Sequence, residues 1–132
     1  LVERYNLNKK VKFIQHCKEM PLAYSLADVI VSSSVEPEAF GRVSVEAQAM
    51  GKPIIASDIG GSKETVINKK TGFLYNHDDP RELAKSLNTV IQLSSDELKS
   101  IGNEGRKNII KKFDVEIMCQ SNLKEYKKLI KN

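Results

Sequence analysis

The stretch EPEAFGRVSVEAQAMGKPIIASD, from Glu36 to Asp58, carries three glutamates beside a Phe-Gly pair. Such carboxylates serve as an acid/base pair, as acceptors for ligand hydroxyls, or as charge at a helix start. Glu38 and Glu46 are eight residues apart. On a single helix they would lie ~12 Å apart along the axis and point away from each other. Pro37 and Gly41 argue against helix through this stretch, so the predicted helix start is Gly41–Val43. Glu38 then sits in the loop before the helix and Glu46 about one turn inside it. Both reach the space over the helix N-terminus. The first N–H groups of a helix lack internal partners and favour a phosphate, and a glycine lets it approach closely. A phosphate over Gly41–Val43, flanked by two hydroxyl-accepting carboxylates, describes a sugar–phosphate compound such as a nucleotide sugar. Glu36 reads as surface charge.

The elements that must hold these residues alternate along the chain. VKFIQH (11–16), VIVSS (29–33), PIIAS (53–57) and GFLY (72–75) read as strands. Between them lie helical patterns over 19–27 and 42–50, a Gly60-Gly61 turn and a short helix in SKETVI. Gly51 and Pro53 mark the stop of the helix that carries Glu46. Alternation with continuous apolar strands predicts an α/β, Rossmann-like, doubly wound parallel sheet with helices on both faces. From Asp79 the chain turns helical. Asp79-Pro80 with Glu82, and Ser94 with Glu97, are helix-start patterns, and a last helix is predicted from near Asp114 with Cys119, Leu123, Tyr126 and Ile130 on one side. In such a sheet ligands bind beyond the carboxyl ends of the strands, here His16–Lys18, Ser32–Gly41 and Asp58–Ser62.

Composition narrows the partners. The chain has 132 residues, 40% apolar and 29% charged, which suits one globular domain. No apolar run approaches the ~20 residues of a membrane-spanning helix. Two distant cysteines, Cys17 and Cys119, read as reduced cytosolic thiols. The net charge of +4 gathers in RKNIIKK (106–112) and KEYKKLIK (124–131). A nucleic-acid reading would want a denser stripe with aromatics placed to stack on bases, and these clusters do not make one. They form a solvated lysine face or, as the second reading, a peripheral contact with the inner face of a membrane from the cytoplasm. The chain opens at Leu1 with neither an initiator Met nor an apolar signal core, and we read it as part of a longer protein.

At Glu38-Ala-Phe-Gly-Arg-Val-Ser-Val-Glu46, continued by Ala47, Gly51, Pro53, Ile54–Ala56, Gly60-Gly61, Glu64 and Gly72-Phe73-Leu74, the sequence resembles the retaining GT-B glycosyltransferases of family 4, in their C-terminal nucleotide-sugar-binding domain. The likeness covers roughly residues 11–130. The wording EPEAFGRV…VEAQAMG is most similar to bacterial enzymes of lipopolysaccharide core biosynthesis. The resemblance implies that Glu38 accepts hydrogen bonds from the donor sugar and holds developing positive charge near the anomeric carbon. It implies that Phe40, Gly41 and Arg42 line the sugar mainly through backbone, that the Val43 N–H faces the diphosphate, and that Glu46 binds the ribose. It also implies metal-independent transfer, with no cofactor beyond the nucleotide-sugar donor and with a saccharide or glycolipid as acceptor.

One departure concerns Gln15-His16-Cys17, where the family often has Gly; His16 then faces the ligand edge as a structural or a ligand-facing side chain. A larger one is that the family's first strand, its diphosphate-clamping basic residues and its acceptor-binding N-terminal domain would lie upstream of Leu1. Residues 1–132 therefore read as a partial donor-binding domain, inactive by itself. Two alternatives stay open: a non-catalytic nucleotide or sugar-phosphate-binding module, and a GT-B phosphorylase or epimerase. A glycosidase is disfavoured, because its carboxylates must flank one glycosidic bond.

Overall fold

The computed structural model describes residues 1–130, so Lys131 of the basic tail lies outside the described residues. Strands β1 (Ile30–Ser32), β2 (Ile54–Ser57) and β3 (Phe73–Tyr75) form a parallel sheet in the order β1-β2-β3. The register sets Ile30 opposite Ile54 and Ile55 opposite Phe73. Helix α1 (Met20–Leu26) precedes β1, α2 (Arg42–Ala49) and α3 (Ser62–Thr65) lie between the strands, and α4 (Pro80–Ile91), α5 (Ser95–Phe113) and α6 (Val115–Ile130) follow them.

Every residue of β2 is buried, which its unbroken apolar run requires of a central strand. Successive side chains point to opposite faces. Ile54 and Ala56 pack with Tyr24 of α1, Ala47 of α2 and Val66, whereas Ile55 packs with Phe73, Tyr75 and Val90, joined by Leu83 and Leu87 of α4 and Leu98 and Ile101 of α5. The sheet is thus covered on both faces, as expected.

The helix that carries Glu46 is closed by its own sequence. Gly51, at φ 68°, supplies the left-handed residue beyond the helix end. Its N–H donates to Gln48 O (2.9 Å) and the Lys52 N–H to Ala47 O (2.9 Å), which satisfies the last carbonyls. Helix α5 crosses this end: Arg106 donates to Ala49 O, and Gly102 lies so close to the Gly51 carbonyl that a Cβ has no room. Ser94 and Glu97 form the reciprocal cap expected at the α5 start. The Ser94 hydroxyl and backbone N–H both donate to Glu97, and they hold its carboxyl below the usual range.

Asp79 caps α4 by accepting from the Arg81 N–H at 2.9 Å. Asp79→Ala is expected to cost about 1 kcal/mol and to lower the melting temperature by roughly 4 °C, read by thermal unfolding.

One expectation needs correction. VKFIQH is not a strand: residues 11–16 carry no strand or helix, and Phe13 and Ile14 are exposed. Period-2 apolar residues fit a pleat, but a strand exists only through ladder hydrogen bonds to a neighbour, and the sheet of the described residues ends at β1. The last helix forms from Val115, as expected, and none of its residues is buried, so the face with Cys119, Leu123, Tyr126 and Ile130 is open. No helix of the described residues is long and apolar enough to cross a membrane.

Candidate active site

The chain reaches the site from the end of β1. Residues 33–41 form an irregular loop that ends at Gly41, and α2 begins at Arg42. Gly41 is the N-cap at φ 71°, a backbone conformation that side chains resist. It brings no capping side chain, so the first N–H groups of α2, Val43 among them, lack the partner a Ser or Asp would supply. Val43 itself turns its side chain into the core beside Ala47 and Ile54.

The loop is held by the Gly60-Gly61 turn and by Phe113. The Gly61 N–H donates to Glu38 O at 2.8 Å. The Gly60-Gly61 turn lies directly against the backbone of Glu38 and Phe40. The Phe40 ring meets Phe113, the last residue of α5, edge to face at 5.8 Å. Within this frame the half-buried Glu38 carboxylate accepts a hydrogen bond from the Ser34 hydroxyl.

Glu46 faces a different neighbour. Its Oε2 accepts from the Tyr24 hydroxyl at 2.9 Å, and its Oε1 accepts from the Arg42 guanidinium at 2.8 and 3.2 Å. Burial, and then the hydrogen bond to Glu46, push the Tyr24 hydroxyl up to about 12, so it remains a donor at neutral pH. Glu46 and Arg42 line a groove of about 410 Å³ between α1 and α2, together with Lys18, Met20, Pro21 and Tyr24.

The two glutamates thus belong to different surroundings, Glu38 to the loop before α2 and Glu46 to α2 on the groove side. No hydrogen bond joins them among the described residues, and Glu38 does not line the groove. Arg42 presents its side chain to Glu46, in addition to its backbone at the helix start. Glu36 is exposed, as is His16, which makes no hydrogen bond or ion pair among the described residues. Both cysteines are free thiols.

Tyr24 and Phe113 escaped the sequence reading. Their partners Glu46 and Phe40 are 22 and 73 residues away, and no local pattern links them. Ser34 carried a signal, since a loop serine four residues from a carboxylate can hydrogen-bond locally.

Residues 1–108 match the family model "Glycosyl transferases group 1". The chain belongs to this glycosyltransferase family. It is 33% identical over 113 residues to the capsular polysaccharide biosynthesis glycosyltransferase CapM of Staphylococcus aureus, covering 86% of this chain and 29% of that protein. Among solved structures, a glycosyltransferase from Rickettsia africae superposes with a TM-score of 0.93 at 35% identity, covering 99% of this chain and 35% of that one. Anabaena Alr3699/HepE, solved in complex with UDP-glucose, superposes with a TM-score of 0.88 at 31% identity, covering 96% of this chain and 35% of that one. The fold of this glycosyltransferase domain is accordingly that of the GT-B enzymes. The chain spans about a third of the length of these relatives.

Proposed function

We propose that this domain is the donor-binding part of a retaining, family 4 glycosyltransferase. The full-length protein moves a hexosyl group from a nucleotide sugar to a saccharide or glycolipid acceptor. The observation that carries this reading is the uncapped start of α2, preceded by the loop that holds Glu38 and followed, on the helix itself, by Glu46 in the α1–α2 groove. A nucleotide sugar has a diphosphate between two hydroxyl-bearing rings, and this arrangement offers one acceptor carboxylate to each ring and helix N–H groups to the charge between them.

In this reading Glu46 takes the ribose hydroxyls in the α1–α2 groove and the Val43 N–H faces the diphosphate. Gly41 and the backbone of Phe40 and Arg42 line the donor sugar. Glu38 accepts from the sugar's hydroxyls and stabilises positive charge that develops at the anomeric carbon as the bond to the leaving diphosphate breaks. Gly60 and Gly61 hold the loop that carries Glu38. The transfer is metal-independent, with the helix start supplying positive potential at the leaving group. The UDP-glucose complex of Anabaena HepE supports the donor class, and the S. aureus relative of capsular polysaccharide biosynthesis supports a saccharide acceptor. A role in lipopolysaccharide core assembly is the narrowest form of the proposal.

The test is a calorimetric screen of UDP-, GDP- and ADP-sugars against the full-length protein. One of them is expected to bind, and Glu46→Ala is expected to weaken that nucleotide by about 10- to 100-fold, as the loss of charged hydrogen bonds does. Unchanged affinity in Glu46→Ala would refute the ribose role.

A further inference from the structure

Tyr24 sits in α1 at 4% exposure, and its hydroxyl points out of the core to Glu46 Oε2 at 2.9 Å. The other carboxylate oxygen, Oε1, meets the Arg42 guanidinium, and the two partners differ in kind. The Arg42 side chain is 83% exposed, whereas that of Glu46 is 34% exposed. A guanidinium on a solvated stem swings away when a ligand arrives. A phenol packed among Ala47, Ile54 and Ala56 cannot. Glu46 is thus held from the inside by a fixed donor and covered from the outside by a movable one.

We propose that Tyr24 is a positioning residue for nucleotide recognition: its buried hydroxyl fixes the Glu46 carboxylate so that Oε1 is presented to the vicinal diol of a ribose entering the α1–α2 groove. This rests on the ribose role proposed above for Glu46. A glutamate side chain on a helix surface otherwise samples many rotamers, and binding would have to freeze it. With Oε2 occupied by Tyr24, the carboxylate is oriented before the ligand binds. The diol then replaces Arg42 at Oε1, and the Tyr24 bond stays in place. The specificity consequence is selection for a nucleotide with both ribose hydroxyls.

The experiment titrates the full-length protein and its variants by calorimetry with UDP, or with GDP or ADP if the screen selects that base. The same titrations are repeated with the 2′,3′-dideoxy analogue, which lacks the diol. Tyr24→Phe keeps the packed ring and removes only the hydroxyl, and an unchanged melting temperature verifies that the fold is retained. It is expected to weaken the ribonucleotide about tenfold, the low end for a hydrogen bond to a charged group. It should leave the affinity for the dideoxy analogue within about twofold of wild type. Equal affinity of Tyr24→Phe and wild type for the ribonucleotide overturns the proposal. So does an equal loss with both ligands, which would mark a structural role only. Glu46→Ala separates the two levels. If it binds the ribonucleotide normally, the ribose reading fails and this inference falls with it. If it is weakened while Tyr24→Phe is not, the inference alone fails.

Discussion

Glu38→Ala in the full-length protein is expected to lower the rate of sugar transfer by about 100- to 1000-fold, the usual cost of removing one group aimed at developing charge. The fold should survive, because the loop is held through main-chain and aromatic contacts that do not involve this side chain. The Gly61 N–H binds the backbone oxygen of Glu38, and Phe40 rests on Phe113. The carboxylate itself touches only Ser34 among the described hydrogen bonds. Nucleotide affinity should change little, since Glu46 and the α2 start are untouched. A loss confined to kcat, with KM for the donor nearly constant, marks an interaction made chiefly in the transition state. Glu38→Gln sharpens the measurement: it retains an acceptor for sugar hydroxyls and loses the negative charge. If charge is what matters, the amide variant falls almost as far as alanine. If hydroxyl binding is what matters, it stays near wild type in kcat. Initial rates with a nucleotide-sugar donor, alongside circular dichroism, decide between these outcomes, and near-normal turnover of Glu38→Ala would remove Glu38 from the site.

The part of this site that could be read from sequence is the part governed by local chemistry. Pro37 and Gly41 fix where helix is impossible, so the loop bearing Glu38 and the helix bearing Glu46 separated correctly before any contact was known. Gly51 did the same for the helix end, and the β-branched runs of β1 and β2 announced parallel strands, of which β2 is buried throughout while Val31 of β1 stays exposed. Residues 11–16 failed for the converse reason. A ladder is a property of two segments, and nothing inside VKFIQH records whether an edge is available to it. Tyr24 is the same lesson at the scale of one side chain. In the sequence it is an apolar position of an amphipathic helix; only packing α1 beside α2 brings its hydroxyl to Glu46. Gly60-Gly61 was legible as a turn. Its second duty, giving the Glu38 loop room to lie against it, belongs to tertiary structure alone.

That clearance makes Gly61→Ala the second large effect. A Cβ at Gly61 would stand 2.5 Å from Phe40 O and 2.6 Å from Phe40 Cα, and one at Gly60 would stand 2.5 Å from Glu38 O. All of these neighbours are backbone, so no rotamer change relieves the overlap and the loop itself must retreat. Retreat stretches the bond from the Gly61 N–H to Glu38 O and carries the Glu38 carboxylate with it. Overpacking with a weakened buried hydrogen bond should cost about 2–4 kcal/mol, measured by denaturant unfolding. Transfer should fall further than the lost folded fraction explains, since a displacement of about 1 Å at a reacting centre costs roughly 100-fold. Gly51→Ala provides the contrast. A Cβ there meets nothing within 4 Å, and only its φ of 68° opposes the substitution. It should cost about 1–2 kcal/mol and leave the rate per folded molecule unchanged. If Gly61→Ala matched Gly51→Ala in both stability and rate, contact with the Gly60-Gly61 turn would not be what holds Glu38 in place.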